Sequence, residues 1–295
     1  TGPSMALSPR EVLKRQIDRA DAMGFDVKSA FECEFTVLNE TAQSLRARNY
    51  EAPVAWAPDN RCWAADSGGV YAEFVTGLEG VMQTLDVPLH GFGTELGPGC
   101  FEATLAARSP LKSADDYGLF RTFTKTYCRR QGLTASFLAQ LGAGFQGLSG
   151  HINLSLSDKS GTPLFPGPHD GMSETMRHFI GGLLTLLPEC AALCSHTVNA
   201  WRRMVPGNWA PRTPSWDFNN YGVAVRVVAD QPETTRLEFR VPAAATNPHL
   251  ALALAIGAGL WGIENKVELP ERATSDVRSF VPKGLRALPR NLGEA

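Results

Sequence analysis

The chain has 295 residues, 43% hydrophobic and 20% charged, an ordinary globular composition with enough apolar mass for a large core. Its formal net charge of −2 offers no basic field for nucleic acid or an anionic membrane surface. The longest apolar run, 250–263, is broken by glycines and too short to span a bilayer. The opening "TGPSMALSPR" lacks a leader pattern, and six scattered cysteines show no zinc spacing. A cytoplasmic protein with reduced thiols is expected.

In chain order, the first predicted helix is "SPREVLKRQIDRADAMG", with Ser8 as cap, Pro9 at the first helical position and Glu11 closing a capping box. The stretch "AFECEFTV" (30–37) alternates as a strand, as does "CFEATLAA" (100–107). A second helix is expected from about Ser113 through Arg130. A strand follows at 150–157, then a third helix from Ser173 to Leu187, ending before Pro188. Strands at 222–228 and 235–242 precede a fourth helix, capped by Asn247 with Pro248 in its first turn. That helix is apolar nearly all round and so should be buried. Strands and helices without strict alternation predict an α+β fold around a curved, mainly antiparallel sheet flanked by helices.

Side chains two apart on a strand share a face. Glu32 and Glu34 therefore point one way, and Phe31, Cys33, Phe35 and Val37 the other. His151, Asn153 and Ser155 alternate with Ile152, Leu154 and Leu156. Arg236, Glu238 and Arg240 alternate with Leu237, Phe239 and Val241. Glu95 and Glu102 flank a turn made by Gly97, Pro98 and Gly99. A plain solvated sheet face would also carry acids. Five glutamates and one histidine would repel one another without a counter-charge, however, and two or three Mg²⁺ or Mn²⁺ ions resolve that repulsion. Arg226, Arg236 and Arg240 on neighbouring strands would then serve anionic substrates. Carboxylate-held metal with an arginine rim is a phosphoryl-transfer layout, and no P-loop or kinase glycine loop is present.

These residues resemble the glutamine synthetase superfamily, which includes γ-glutamyl-amine ligases. The resemblance is carried in order by "ECEF", "ELGPGCFEATL", "SGHINLSLSD", "VNAWRRMVPGNWAP", "NNYGVAVRV" and "RLEFRVPAAATNPHLALALAIGAGLWGIENK". It implies that Glu34, Glu95 and Glu102 hold the metal that meets glutamate and the attacked phosphate. Glu32, His151 and Glu238 would hold the metal on the ATP phosphates. Arg203 would bind the glutamate α-carboxylate, Arg240 the side-chain end and the phosphoryl group, and Gly147 would approach glutamate with its backbone. Arg226, Arg236, Ser155 and Tyr221 would lie along ATP. The implied activity is ATP-dependent ligation of an amine to the γ-carboxylate of glutamate through a γ-glutamyl phosphate. Residues 1–295 would form one catalytic domain, with the family's N-terminal β-grasp domain and C-terminal extension outside this chain. The full-length protein would be a ring-shaped homo-oligomer, a dodecamer in much of the family.

Four departures qualify this expectation. Trp209 stands where ammonia-using members carry a glutamate that helps deprotonate ammonium. An indole offers an apolar wall and a cation–π surface instead, so a larger amine is expected. Tyr221 replaces an arginine, with Arg202 and Arg212 the candidates to restore the charge. Cys100 replaces a glutamine and Gln140 a lysine. The family's two flanking regions are expected to lie outside this chain. The alternative readings are a catalytically degenerate scaffold or regulatory protein and, last, a guanidino phosphotransferase. His90 and the remaining histidines, Cys100, Trp63 and the other tryptophans apart from Trp209 are read as structural.

Overall fold

The computed structural model describes residues 5–57, 61–205, 208–273, 277 and 279–295. Pro206 and Gly207 of "VNAWRRMVPGNWAP" thus lie outside the described residues. Helix α1 (Pro9–Ala22) leads into β1 (Phe25–Leu38), followed by α2 (Ala42–Ala47), α3 (Ser67–Val70) and α4 (Ala72–Thr84). The hairpin of β2 (Leu89–Thr94) and β3 (Cys100–Leu105) precedes α5 (Pro110–Arg130), β4 (Thr134–Ser136) and β5 (Ile152–Asp158). Then come β6 (Pro166–His169), α6 (Glu174–Cys190), α7 (Val198–Arg202), β7 (Trp216–Phe218), β8 (Val225–Val228), β9 (Arg236–Phe239) and α8 (Pro248–Glu264).

One sheet runs in the order β2-β3-β1-β5-β9-β8-β7, with β4 paired to β1. Its pairings are antiparallel except β7 with β8, which is parallel. The expected mixed architecture is therefore the one observed. Alternation sends Phe31, Cys33, Phe35 and Val37 into a core where each is 0% exposed. Phe35 sits within an aromatic cluster, its ring centroid 5.4 Å from Phe137, 5.8 Å from Phe120 and 6.0 Å from Phe101. Helix α8 packs against α1, α5 and α6. Being walled on several sides, it can be apolar all round, as its sequence indicates.

Local signals held unevenly. Asn247 caps α8 by accepting from the Leu250 N–H, and Ser173 caps α6 by accepting from Met176. Ser8 occupies the N-cap of α1, but its side chain makes no cap hydrogen bond, so the expected capping box is absent. The Ser8 N–H that Glu11 would have served donates instead to the Met5 carbonyl at 2.8 Å. Helix α6 does not stop before Pro188 but carries it in its last turn. A proline there costs a single backbone bond, and its φ suits a helix. β1 starts five residues earlier than expected because Phe25–Phe31 pairs with β5, which isolated alternation does not reveal. Helix α4 and the short strands β2, β4, β6 and β7 were not anticipated from the sequence pattern.

Candidate active site

Register builds the site. Glu34 lies directly opposite Glu102 across β1 and β3, and Glu102 faces Gly93 of β2. Asn153 pairs with Glu238 across β5 and β9, and Glu238 with Arg226 across β9 and β8. His151 precedes β5, its carbonyl accepting from the Glu32 N–H. Neighbouring strands thus place one row of ionisable groups on the face opposite the aromatic core. The turn from Glu95 to Glu102 needs glycine, since Gly97 and Gly99 adopt φ of +113° and +68°.

This polar face is not solvated. Glu34, Glu102, His151 and Arg240 are each under a tenth exposed, and Glu238 is fully buried. His151 Nδ1 lies 3.0 Å from Glu32 Oε2 and 3.2 Å from Glu238 Oε1. Asn153 donates to Glu32 Oε1 at 2.9 Å and accepts from Arg236 Nε at 3.0 Å, linking a carboxylate to an arginine. Glu238 sits between two guanidinium groups, with Arg226 Nη1 at 2.5 Å and Arg240 Nη1 on its other oxygen.

Glu34 and Glu102 hold their protons unusually tightly. Burial, reinforced by the Glu95 charge, pushes Glu34 up to about 7, against the pull of the Ser149 N–H, Arg203 and Arg240. Burial pushes Glu102 up to about 10, aided by Glu32, Glu34, Glu95 and Glu238. Burial also holds His151 well below its ordinary value, with Arg240 adding to it, so the imidazole is a neutral ligand. One donor atom each from Glu32, Glu102 and His151 lies within 4.8 Å of the others, and His151 Nε2 is buried without a hydrogen-bond partner. Carboxylate oxygens with a single neutral imidazole suit Mg²⁺ or Mn²⁺, so these residues fit the cation that the sequence implies. Cation binding would displace the protons that Glu34 and Glu102 hold.

Two cavities flank this cluster. The smaller, about 40 Å³, is lined by Glu34, Glu95, Cys100, Gly147, Ser149, Arg203, Trp209 and Arg240, among others. Gly147 has to be glycine, because a Cβ there would stand 2.7 Å from Arg203 Cγ and 2.8 Å from Asn208 Nδ2. The larger, about 380 Å³, is lined by Glu32, His90, Asn153, Ser155 and Arg236, with Lys28 and Thr235 among the rest.

The arginines differ in their freedom. Arg203 is 1% exposed. It donates to the Val241 and Arg240 carbonyls and to Ser149 Oγ, while Nε has no partner. Burial pushes it down to about 10. Arg226 and Arg240 lie over the Tyr221 ring, 4.6 and 5.4 Å from its centroid, and Arg240 Nε donates to the Tyr221 carbonyl. Tyr221 also pairs with Trp209 at 6.2 Å, and both rings are about half exposed. The residue in the arginine position therefore holds two other arginines by cation–π contact. Arg202 and Arg212 are exposed and line neither cavity. Cys100 is buried with its thiol pushed well up by that burial, so it is inert. Gln140 donates to the Gly142 and Phe145 carbonyls and shapes the loop leading to Gly147.

Sequence reading passed over Asn153, Ser149 and Trp63 as contributors. The Ser149 N–H donates to Glu34 at 2.6 Å, and the Trp63 indole N–H to Glu95 at 2.7 Å. Asn153 was visible as the polar neighbour of His151 at strand spacing. Nothing in the local pattern marks Trp63.

The chain belongs to the glutamine synthetase family: residues 6–295 match its catalytic domain. It is 30% identical over 296 residues to the glutamate–isopropylamine ligase of a Pseudomonas species, matching all of this chain and 64% of that protein. It is 34% identical over 299 residues to type-1 glutamine synthetase 2 of Dictyostelium discoideum, matching all of this chain and 57% of that protein. A gamma-glutamylethanolamide synthetase of Streptomyces coelicolor is 30% identical, over 92% of this chain and 58% of its own length. The solved structure of apo GmaS superposes with a TM-score of 0.84 at 28% identity, over 99% of this chain and 67% of that one. The chain thus spans about three fifths of the length of these curated relatives.

Proposed function

We propose that this chain is the catalytic part of an ATP-dependent ligase that joins an amine larger than ammonia to the γ-carboxylate of glutamate through a γ-glutamyl phosphate. The observation that carries the reading is the small cavity that Glu34, Glu95, Gly147, Arg203, Arg240 and Trp209 share beside the Glu32–Glu102–His151 cluster. Glu34, Glu95 and Glu102 would hold one divalent cation, and Glu32, His151 and Glu238 another. Mg²⁺ or Mn²⁺ would supply charge neutralisation for the transferred phosphoryl group. Ser155 and Arg236, in the larger cavity, would bind the nucleotide. Arg226 and Arg240, steadied on Tyr221, would face the phosphates. Arg203 has its terminal nitrogens committed to the protein. Its contribution to the glutamate α-carboxylate is charge and the free Nε rather than a two-pronged grip.

Trp209 and Tyr221 would present an aromatic wall to the attacking amine. Neither removes a proton, so the attacking nitrogen must lose its proton elsewhere, with Glu34 and Glu95 the acids nearest in that cavity. Two relatives are named for isopropylamine and for ethanolamide formation, which supports a substituted amine. The family reading carries a ring-shaped homo-oligomer for the full-length protein. Exposed apolar residues such as Leu7, Tyr50, Leu138 and Val198 support an interface.

Phosphate release from ATP and glutamate, measured in the full-length protein across ammonia, small alkylamines, ethanolamine and arylamines, tests the proposal. Higher kcat/KM for a substituted amine is expected. Efficient turnover of ammonia alone would refute the amine assignment. Tyr221 in place of an arginine favours a second reading, a non-catalytic scaffold. Absence of both Mn²⁺ and ATP binding by calorimetry would establish that reading instead.

A further inference from the structure

Trp63 lies outside every motif of the family resemblance, yet it touches the site. Its indole N–H donates to Glu95 Oε1 at 2.7 Å, and the neighbouring Cys62 thiol lies 3.3 Å from Oε2, which also accepts from the Leu96 N–H at 2.9 Å. Both oxygens of one carboxylate are thus engaged, two of the three contacts coming from one short stretch of chain. The indole lies against Gly93 of β2, where a Cβ would meet its six-membered ring at 2.7 Å, so glycine makes room for it. The Trp63 N–H donates to the Thr94 carbonyl, and the Ala64 N–H to Thr94 Oγ1. Trp63 is held at a φ of +49°, in the left-handed region that a bulky residue rarely adopts. Despite that conformation its ring is half exposed, so core packing alone does not account for the placement.

We propose that Trp63 is a positioning residue for Glu95: its indole N–H holds the carboxylate where it lines the small cavity beside Glu34 and Arg240. This rests on the proposed function, in which Glu95 is a metal ligand. Ligand carboxylates gain fixed orientation from an outer hydrogen bond, and loss of such a partner costs about 10–100-fold in metal affinity or activity. Two acids in one cavity tend to splay apart, and a donor behind Glu95 opposes that movement.

The test is calorimetric titration of the full-length protein with Mn²⁺ alone, comparing wild type, Trp63→Phe, Glu95→Gln and the double variant. Trp63→Phe keeps an aromatic ring at this position and removes the donor. The expected result is a loss of about tenfold or more in Mn²⁺ affinity with an unchanged melting temperature under chelation, and no further loss when Trp63→Phe is added to Glu95→Gln. Unchanged Mn²⁺ affinity in a folded Trp63→Phe, or losses that simply add in the double variant, overturn the positioning role while leaving the ligase reading standing. Failure of wild type to bind Mn²⁺ at all overturns both. If Trp63→Phe proves unstable, Trp63→Leu, which likewise lacks a donor, replaces it, with the same loss expected and the same unchanged affinity overturning the role.

Discussion

The same strands carry two faces with opposite energetics. On one face of β1, Phe31, Cys33, Phe35 and Val37 are buried among other apolar groups, each packed and none charged. On the other, Glu34 stands one residue away, beside Glu102, His151 and Glu238, nearly as deeply buried, with Glu32 at the partly exposed edge. The first face stabilises the chain through removal of apolar surface from water. The second works against folding unless protons, arginines or a divalent cation offset it. Burial depth alone therefore does not distinguish core from site, whereas the way charge is neutralised does.

The largest expected effect is on the apolar face. Phe35→Ala removes a ring that meets Phe92, Phe101, Phe120 and Phe137, and should cost about 3–5 kcal/mol in urea unfolding. A loss under about 1 kcal/mol would mean that this face is not the stabilising one. Next is Glu238→Ala, which strips the shared partner from Arg226 and Arg240 and should cost about 3 kcal/mol even in a chelator. Here a polar-face residue would behave like a core residue, because two arginines depend on it.

A smaller effect, with a defined sign, is expected from pH. Glutamate loses its proton near 4.5 when unfolded, whereas Glu34 in the fold keeps it up to about 7. Between those values the folded state holds more protons than the unfolded state, so stability of the chelated protein should fall as pH rises. Glu102 extends the decline toward about 10. The decline from pH 7 to pH 8, above the range in which an unfolded His151 titrates, should be on the order of 1–2 kcal/mol, and saturating Mn²⁺ should flatten it while releasing protons. A chelated protein that gains stability over that range would contradict this account of the polar face.

The smallest loss of stability is expected from Glu102→Gln. The folded site keeps Glu102 protonated at pH 7, where an unfolded glutamate is ionised, so a neutral amide should leave chelated stability no lower and should remove the part of the pH-dependent decline that Glu102 carries. The same substitution should abolish most of the stabilisation by Mn²⁺, measured as a shift in melting temperature. Together with Phe35→Ala, it separates the face that holds the fold from the face that holds the ligand.

Several parts of this organisation are legible in the sequence alone. Alternation in "FECEFTVLNE" assigned Phe35 to the core and Glu34 to the opposite face; both are buried, but Phe35 stacks on Phe137 whereas Glu34 accepts from the Ser149 N–H. The cap at Asn247 and the all-round apolar α8 were equally readable, since both are local or compositional signals. The capping box at Ser8 and the end of α6 at Pro188 were misread. Both depend on how a single backbone group finds its partner in three dimensions. Tyr221 looked like a lost cation. Only the fold shows two arginines resting on it.

Residue order and strand periodicity were enough to fix which side chains are acidic, which share a face, and which family the chain resembles, because these depend on near neighbours along the backbone. Pairing between distant strands decided the rest. The register of β1 against β3 put Glu34 opposite Glu102, and that of β9 between β5 and β8 put Glu238 between Asn153 and Arg226. The packing of a remote loop brought Trp63 onto Glu95. Proton affinities, the partners of each arginine and the reach of an indole depend on distances across the sheet, and those distances exist only once the chain has closed on itself.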